Sequence, residues 1–386
     1  MIITFWQNMP SHIQAPVIRA LAERKDCLVN WVVENPIPEW RRKMGWDTPE
    51  VGQANLLVCP DAGTIKDLLT YRPGDSVHIF SPDRTLPLVT RAFYSCLAGK
   101  GRMGLLSEAK DWRGWRGWAR LALGQTTAWI QRWRLGFILA MGGLGVKWFQ
   151  MCGYSNRVIF PYCYVAEPTE SIPAAAVAQR KHDQTVKLIF IGQCIHRKGG
   201  DLLLKALAGL LHLDWQLEVI GDGTELAGWA ALAAELEISH RVNLRGNYPN
   251  SISTQLLAAA DLLVLPSRWD GWGAVVNEAL MQGVPVICSD KCGASDLLNG
   301  AERGEIFRAG SMDALRRALG RRISLGPTSP IGSTRIKQWS TAIQGDRMAG
   351  YLLQVIESAF KHVPRPIPPW VENHKPSILR ETVPNR

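Results

Sequence analysis

The sequence has no Cys-x-x-Cys pair, although it contains eight cysteines. They stand singly as Cys27, Cys59, Cys96, Cys152, Cys163, Cys194, Cys288 and Cys292. That scatter argues against a disulfide framework or a structural zinc site and for core thiols in a reducing compartment. No apolar stretch reaches the ~18 residues needed to cross a bilayer. The nearest candidate, 135–151, is interrupted by Lys147 and four glycines. The opening Met1-Ile2-Ile3-Thr4-Phe5-Trp6 lacks the basic start and long apolar run of a signal peptide. A cytoplasmic protein is expected, with peripheral contact at the inner membrane face left open. Repeats with a period of roughly 20–50 residues are also missing.

Charge is sparse as well, at 20% of residues against 46% hydrophobic, so the chain is globular rather than disordered. Its 386 residues are comfortable for two domains. The net charge of +10 is uneven. Residues 1–165 carry +8 of it, a balance that suits phosphate-bearing acceptors, anionic lipid surfaces or nucleic acid.

Short apolar runs at Val186–Ile191, Gln216–Ile220, Arg241–Leu244, Asp261–Leu265 and Val284–Cys288 alternate with helical patterns. The helical patterns are Asp201–Leu211, Leu226–Leu236, Ser253–Ala260 and Ala274–Gln282. Nearly continuous apolar strands between helices predict a parallel sheet covered on both faces. The first half repeats the theme, with strands near Ile2–Phe5, Val29–Val33, Leu56–Cys59, Val77–Phe80, Met103–Leu106 and Phe137–Met141. Two Rossmann-like α/β domains facing a central cleft are therefore expected: 1–165 on the acceptor side and 184–335 on the donor side. Residues 166–183, with Pro168, Pro173 and a run of alanines, read as the linker. Helical periodicity over Ile336–Phe360 suggests a helix in 336–363 that packs back on the first domain. A Pro-rich tail, 364–386, follows it.

The most informative segment is Asp270-Gly271-Trp272-Gly273-Ala274-Val275-Val276-Asn277-Glu278. It follows an apolar strand and Pro266-Ser267, and its two glycines open a helix whose first N–H groups face the C-terminal edge of the sheet. A carboxylate before the turn can accept hydrogen bonds from a hexose, and one inside the helix can grip a ribose diol. The plainer alternative makes Asp270 a helix cap and Glu278 a solvated acid. Upstream, Phe190-Ile191-Gly192-Gln193-Cys194-Ile195-His196-Arg197-Lys198-Gly199 sends two adjacent cations to the same sheet edge. Fixed cations that neutralise a departing diphosphate are an effective catalytic device. A solvated basic helix entrance is the alternative.

These motifs resemble glycosyltransferase family 4, whose hallmark is an acid, Gly-aromatic-Gly, a Glu after seven intervening residues, and a later Gly-x-Pro. Here they read Asp270-Gly271-Trp272-Gly273, Glu278 and Gly283-Val284-Pro285. Asp replaces the commoner Glu at 270, and Gln193 stands where the family commonly carries Arg. The resemblance spans about 186–300. It implies the GT-B fold and a retaining transferase that moves a sugar from a nucleoside-diphosphate sugar to a saccharide or lipid-linked acceptor. Cell-surface polysaccharide or lipopolysaccharide synthesis is the implied setting. Asp270 and the Gly271–Gly273 amides would hold the sugar, Glu278 the ribose, and Arg197 with Lys198 the diphosphate. Gly192, Gln193, Gly221, Trp272, Asn247 and Tyr248 would complete the donor side.

No Asp-x-Asp motif for a divalent ion is present, so neither metal nor cofactor is expected, and the nucleotide-sugar serves as co-substrate. His12 and Glu108 are acceptor-side candidates; a loop histidine without a named partner is more often structural or merely exposed, and Glu108 reads equally well as a surface acid. Five tryptophans and five arginines interleave across 112–134, which suits a membrane interface or an ordinary surface with some buried indoles. Its glycines predict a loop with a short helix there. Nucleic acid is not expected as a partner. The rival readings are a nucleotide-sugar epimerase or hydrolase on the same scaffold and a non-catalytic basic membrane- or nucleic-acid-binding protein.

Overall fold

A computed structural model describes residues 1–42, 45–83, 85–167, 184–361 and 363–372. Most of the expected linker, 168–183, and the end of the tail, 373–386, lie outside the described residues.

The first lobe alternates strands and helices: β1 (Ile2–Gln7), α1 (Ala15–Ala22), β2 (Leu28–Val33), α2 (Glu39–Arg42), β3 (Asn55–Val58), α3 (Ala62–Thr70), β4 (Ser76–Phe80), α4 (Pro87–Ala98), β5 (Arg102–Ser107), α5 (Gly114–Gln131), β6 (Leu135–Met141), α6 (Gly142–Met151) and β7 (Ile159–Tyr162). All pairings are parallel, in the order β3-β2-β1-β4-β5-β6-β7. Every residue of β1 and β4 is buried, as central parallel strands require. Local chemistry starts the helices. Proline occupies the first turn of α1 and α4, and the Asp61 carboxylate accepts from the Thr64 N–H at 2.9 Å to cap α3.

The second lobe repeats the plan with β8 (Val186–Ile191), α7 (Gly200–Ala208), β9 (Trp215–Ile220), α8 (Leu226–Glu235), β10 (Val242–Leu244), α9 (Asn250–Ala258), β11 (Leu262–Leu265), α10 (Val275–Met281), β12 (Val286–Ser289), β13 (Gly304–Phe307) and α11 (Met312–Ser324). Its parallel order is β10-β9-β8-β11-β12-β13. Two doubly wound sheets are thus present, as expected.

Two expectations fail locally. The stretch after Arg113 is not a loop with a short helix but one helix of 18 residues, α5. Two of its three glycines, Gly117 and Gly124, are demanded by close packing. A methyl on Gly117 would fall 2.0 Å from the Trp112 carbonyl carbon, and one on Gly124 would fall 2.6 Å from Cys152 Sγ. The periodicity over Ile336–Phe360 divides into α12 (Pro330–Ser340) and α13 (Gly345–Lys361), before a short α14 (Pro369–Glu372). The break falls where the chain reaches the first lobe, because Gly345 lies against Pro16 so closely that a methyl would meet its carbonyl oxygen at 2.6 Å.

Helix α13 then lies on α1 and β6. The Tyr351 hydroxyl donates to the Pro161 carbonyl at 3.0 Å, and the Tyr351 ring stacks on Tyr162. Phe360 packs edge-on against Phe137.

Candidate functional site

In each sheet the strand order reverses at one point, and loops leaving the two neighbouring strands diverge to open a crevice at their C-terminal ends. In the second lobe that point lies between β8 and β11. The loop after β8 carries a 3-10 turn, His196–Lys198, which closes on Gly199 at φ 73. Only glycine suits this position: besides its left-handed backbone, a methyl there would strike the Pro266 carbonyl oxygen at 2.3 Å. The two loops therefore meet backbone to backbone, and the cations of one reach the carboxylate of the other.

Lys198 Nζ donates to Asp270 Oδ2 at 2.5 Å. Arg197 donates to the Trp269 carbonyl at 2.8 Å and keeps a guanidinium nitrogen 3.8 Å from Asp270 Oδ1. The Lys198 and Asp270 side chains are only 13% and 11% exposed, so the pair is sheltered, whereas Arg197 stays 42% open. Arg268 buckles the loops together with bonds of 2.8 and 2.7 Å to Asp201 and a third, 2.8 Å, to the His196 carbonyl.

Glu278 projects from the first turn of α10 and retains part of its surface. Burial pushes its carboxyl up to about 7, and no hydrogen bond from a described residue offsets that. Glu108 follows β5 of the first lobe. Burial first, and then the nearby charge of Asp270, raise its pKa; a bond from Tyr164 and the charges of Arg197 and Lys198 oppose the rise. It stands so close to Gly271 that a methyl on that residue would fall 1.8 Å from Glu108 Oε2. The cleft thus brings Arg197, Lys198, Asp270, Gly271 and Glu108 together from two lobes.

The other candidates are placed as follows. Trp272 is buried, and its indole N–H donates to Asn277 Oδ1 at 2.8 Å. Asn277 in turn donates to the Tyr164 carbonyl at 2.8 Å, so this tryptophan braces the loop from behind rather than lining the opening. Gly192, Gly221 and Gly246 stack by backbone bonds: the Gly192 N–H donates to Ile220, and the Gly221 N–H to Gly246. Gly273 opens the way into α10 at φ 89. Gln193 and Asn247 are exposed, and Tyr248 is half-buried and hydrogen-bonded to Arg245. His12 is not joined to the cluster; its ring lies edge-on to Trp46 at 5.6 Å. Gly45, beside that tryptophan, approaches Pro249 and Asn250 of the second lobe.

Sequence reasoning missed the clasp that closes the cleft's edge. Trp269, 5% exposed, is a second-lobe residue buried in a first-lobe core, edge-on to Trp112 at 5.0 Å. The Arg113 guanidinium lies 5.2 Å from the Trp269 ring centre, and Arg113 also donates to the Arg268 carbonyl at 2.8 Å. On the far side, Asp296 accepts from the Gly143 N–H at the start of α6. A large apolar residue flanked by Arg268 and Asp270 was the one available signal. A separate cleft of about 210 Å³ lies among α4, α5 and α6, lined by Ser107, Lys110, Arg120, Phe93, Trp148 and Tyr154 among others. Among the described residues, no cluster of three or more His, Cys, Asp or Glu side chains is arranged to hold a metal ion.

The family described as Glycosyl transferases group 1 matches residues 173–329. A glycogen synthase of Yersinia enterocolitica is 32% identical over 164 residues, which is 40% of this chain and 32% of that protein. The lipopolysaccharide 1,6-galactosyltransferase of Salmonella typhimurium is 28% identical over 159 residues, 40% of this chain and 44% of its own length. The matched region thus spans less than half the length of either relative. Among solved structures, Anabaena Alr3699/HepE in complex with UDP has a TM-score of 0.68 at 14% identity, covering 93% of this chain and 100% of that one. The lipopolysaccharide outer core galactosyltransferase WaaB in its apo form gives 0.66 at 17% identity, covering 93% and 99%. The fold is GT-B.

Proposed function

We propose that the chain is a glycosyltransferase that moves a sugar from a nucleoside-diphosphate sugar to a saccharide or lipid-linked acceptor, with retention of anomeric configuration. The observation that carries this reading is the grouping of Lys198, Arg197 and Asp270 at the switch point of the second lobe, directly under Glu108 of the first. The similarity to a UDP-bound neighbour and to an enzyme of lipopolysaccharide synthesis supports it.

In this reading the donor diphosphate lies against Arg197 and Lys198. Arg binds phosphate oxygens through its planar fork, and Lys acts as a point charge. The sugar lies over Asp270 and the Gly271–Gly273 amides. The Glu278 carboxylate accepts from the ribose hydroxyls, which gives it partners that no described residue supplies. As the bond from the anomeric carbon to the phosphate oxygen breaks, negative charge grows on the diphosphate, and the two cations offset it in a sheltered crevice. The acceptor hydroxyl approaches the same face, forms the new bond to the anomeric carbon, and its proton passes to the departing phosphate oxygen. Glu108 positions that hydroxyl from the first lobe. A setting in cell-surface polysaccharide or lipopolysaccharide assembly goes with this proposal.

The test is a panel of UDP-, GDP- and ADP-sugars with saccharide and lipid-linked acceptors, read by nucleotide release and by the anomeric signal of the product. Acceptor-dependent release with a retained anomer supports the reading. Sugar interconversion without acceptor, or no response to any donor, refutes it.

A further inference from the structure

Helix α5 is amphipathic in an inverted sense. Its small residues face the lobe: Gly117 and Ala128 are buried, and Gly124 lies against Cys152. Its indoles face outward, with Trp115 76% exposed, Trp118 71%, Trp129 67%, and Trp133, just past the helix end, 80%. Steps of three or four residues connect Trp115, Trp118, Ala122, Thr126, Trp129 and Trp133. At 3.6 residues per turn these form a single line opposite the buried side, about 27 Å long. Ile130, 54% exposed, widens it.

Cations border this line. Arg116 rests its guanidinium 5.2 Å from the centre of the Trp115 ring, and Arg132 sits 4.9 Å from Trp133. Both lie about a quarter-turn from the aromatic line, on opposite sides of it. No Asp or Glu occurs between residues 112 and 166. No helix among the described residues is long and apolar enough to cross a membrane.

We propose that α5 is an interfacial anchor that lies in the plane of an anionic lipid bilayer, its tryptophans at headgroup level and its arginines on lipid phosphates. Four indoles in register on a convex helix offer no groove for a peptide. A single-stranded nucleic acid would need cations that track its backbone between stacking platforms, whereas here the cations flank a continuous aromatic line. Indole bodies with polar N–H tips and flanking arginines match the boundary between acyl chains and headgroups. The anchor also continues directly from Trp112 and Arg113, which hold Trp269 beside the cleft, so docking would set the cleft's edge near the lipid surface. The inference does not depend on glycosyl transfer.

The test is flotation of the full chain with vesicles of phosphatidylcholine alone or of phosphatidylcholine with phosphatidylglycerol. The wild type is expected to float with the anionic vesicles and less so as salt is raised. Replacing Trp115, Trp118, Trp129 and Trp133 together by Ser should weaken vesicle binding by about ten-fold or more while thermal stability stays unchanged, since these side chains touch little of the lobe. Arg116→Glu with Arg132→Glu should abolish the preference for anionic lipid. Failure of the wild type to float, equal flotation of the Ser variant, or salt-sensitive capture by single-stranded RNA in place of vesicles would overturn the proposal.

Discussion

Glu108 Oε2 occupies the space into which a side chain on Gly271 would grow, for a methyl built there falls 1.8 Å from it. The two residues come from different lobes, so this one approach measures how closely the first lobe meets the Asp270–Gly273 loop of the second. Gly271→Ala is expected to push the flexible tip of Glu108 aside with little loss of stability, while turnover falls by about ten-fold or more. Glu108→Gln should lower turnover comparably. Combined, the two changes should be far from additive, because the first acts through the second. Full additivity in kcat would show that Gly271 and Glu108 act separately.

Lys198 and Asp270 form a sheltered ion pair in the free protein. Removing either partner leaves the other charge poorly solvated, so Lys198→Ala and Asp270→Asn should each destabilise by about 2–4 kcal/mol. The double variant should recover part of the loss, a coupling of about 1–3 kcal/mol in a denaturant cycle. Turnover of Lys198→Ala should fall by about 10²–10³-fold at temperatures where circular dichroism shows the fold intact. Wild-type turnover in that variant would remove the basis of the proposed chemistry.

Glu278 supplies a pH signature. Burial raises its carboxyl to about 7 from 4.5, so folding favours the protonated form. The resulting stabilisation is full below about 4.5 and disappears as pH rises through about 7. Relative to Glu278→Gln, the wild type should therefore lose thermal stability across that window. Donor binding should move the opposite way, since ribose hydroxyls donate to the ionised carboxylate. The donor KM should fall as pH passes about 7 in the wild type and stay flat in Glu278→Gln. A flat wild-type profile would mean that Glu278 does not meet the donor.

Trp269 is a wedge from one lobe held in the core of the other. Its replacement by Ala should cost about 3 kcal/mol or more by leaving a cavity beside Trp112 and Arg113. If the wedge holds the lobes together, the radius of gyration in solution scattering should rise as well. An unchanged radius with lowered stability would confine Trp269 to packing.

The two sheets were legible because parallel strands buried on both faces leave nearly continuous apolar runs, as in Leu262–Leu265, where all four residues are Leu or Val and buried. The Asp270–Glu278 segment was legible because a carboxylate, a glycine-opened helix and a second carboxylate follow a strand within one short window. Helix α5 was hidden because glycine lowers helix propensity locally, whereas here Gly117 and Gly124 serve neighbours at Trp112 and Cys152. The Trp272–Asn277–Tyr164 chain was hidden for another reason: it links residues more than a hundred positions apart, and no local period encodes that. His12 lay on the expected edge of the first sheet, yet Trp46, far along the sequence, claims its ring.

Because α13 belongs to the C-terminal part of the chain but lies on α1 and β6, the polypeptide passes between lobes twice. A cut in the middle of the sequence would not yield two self-sufficient halves. The N-terminal piece would lack the helix that covers it, and the C-terminal piece would display Met348, Tyr351, Leu352, Val355 and Ile356 to water. Nicked halves should stay together, held by the face that α13 shares with α1 and β6.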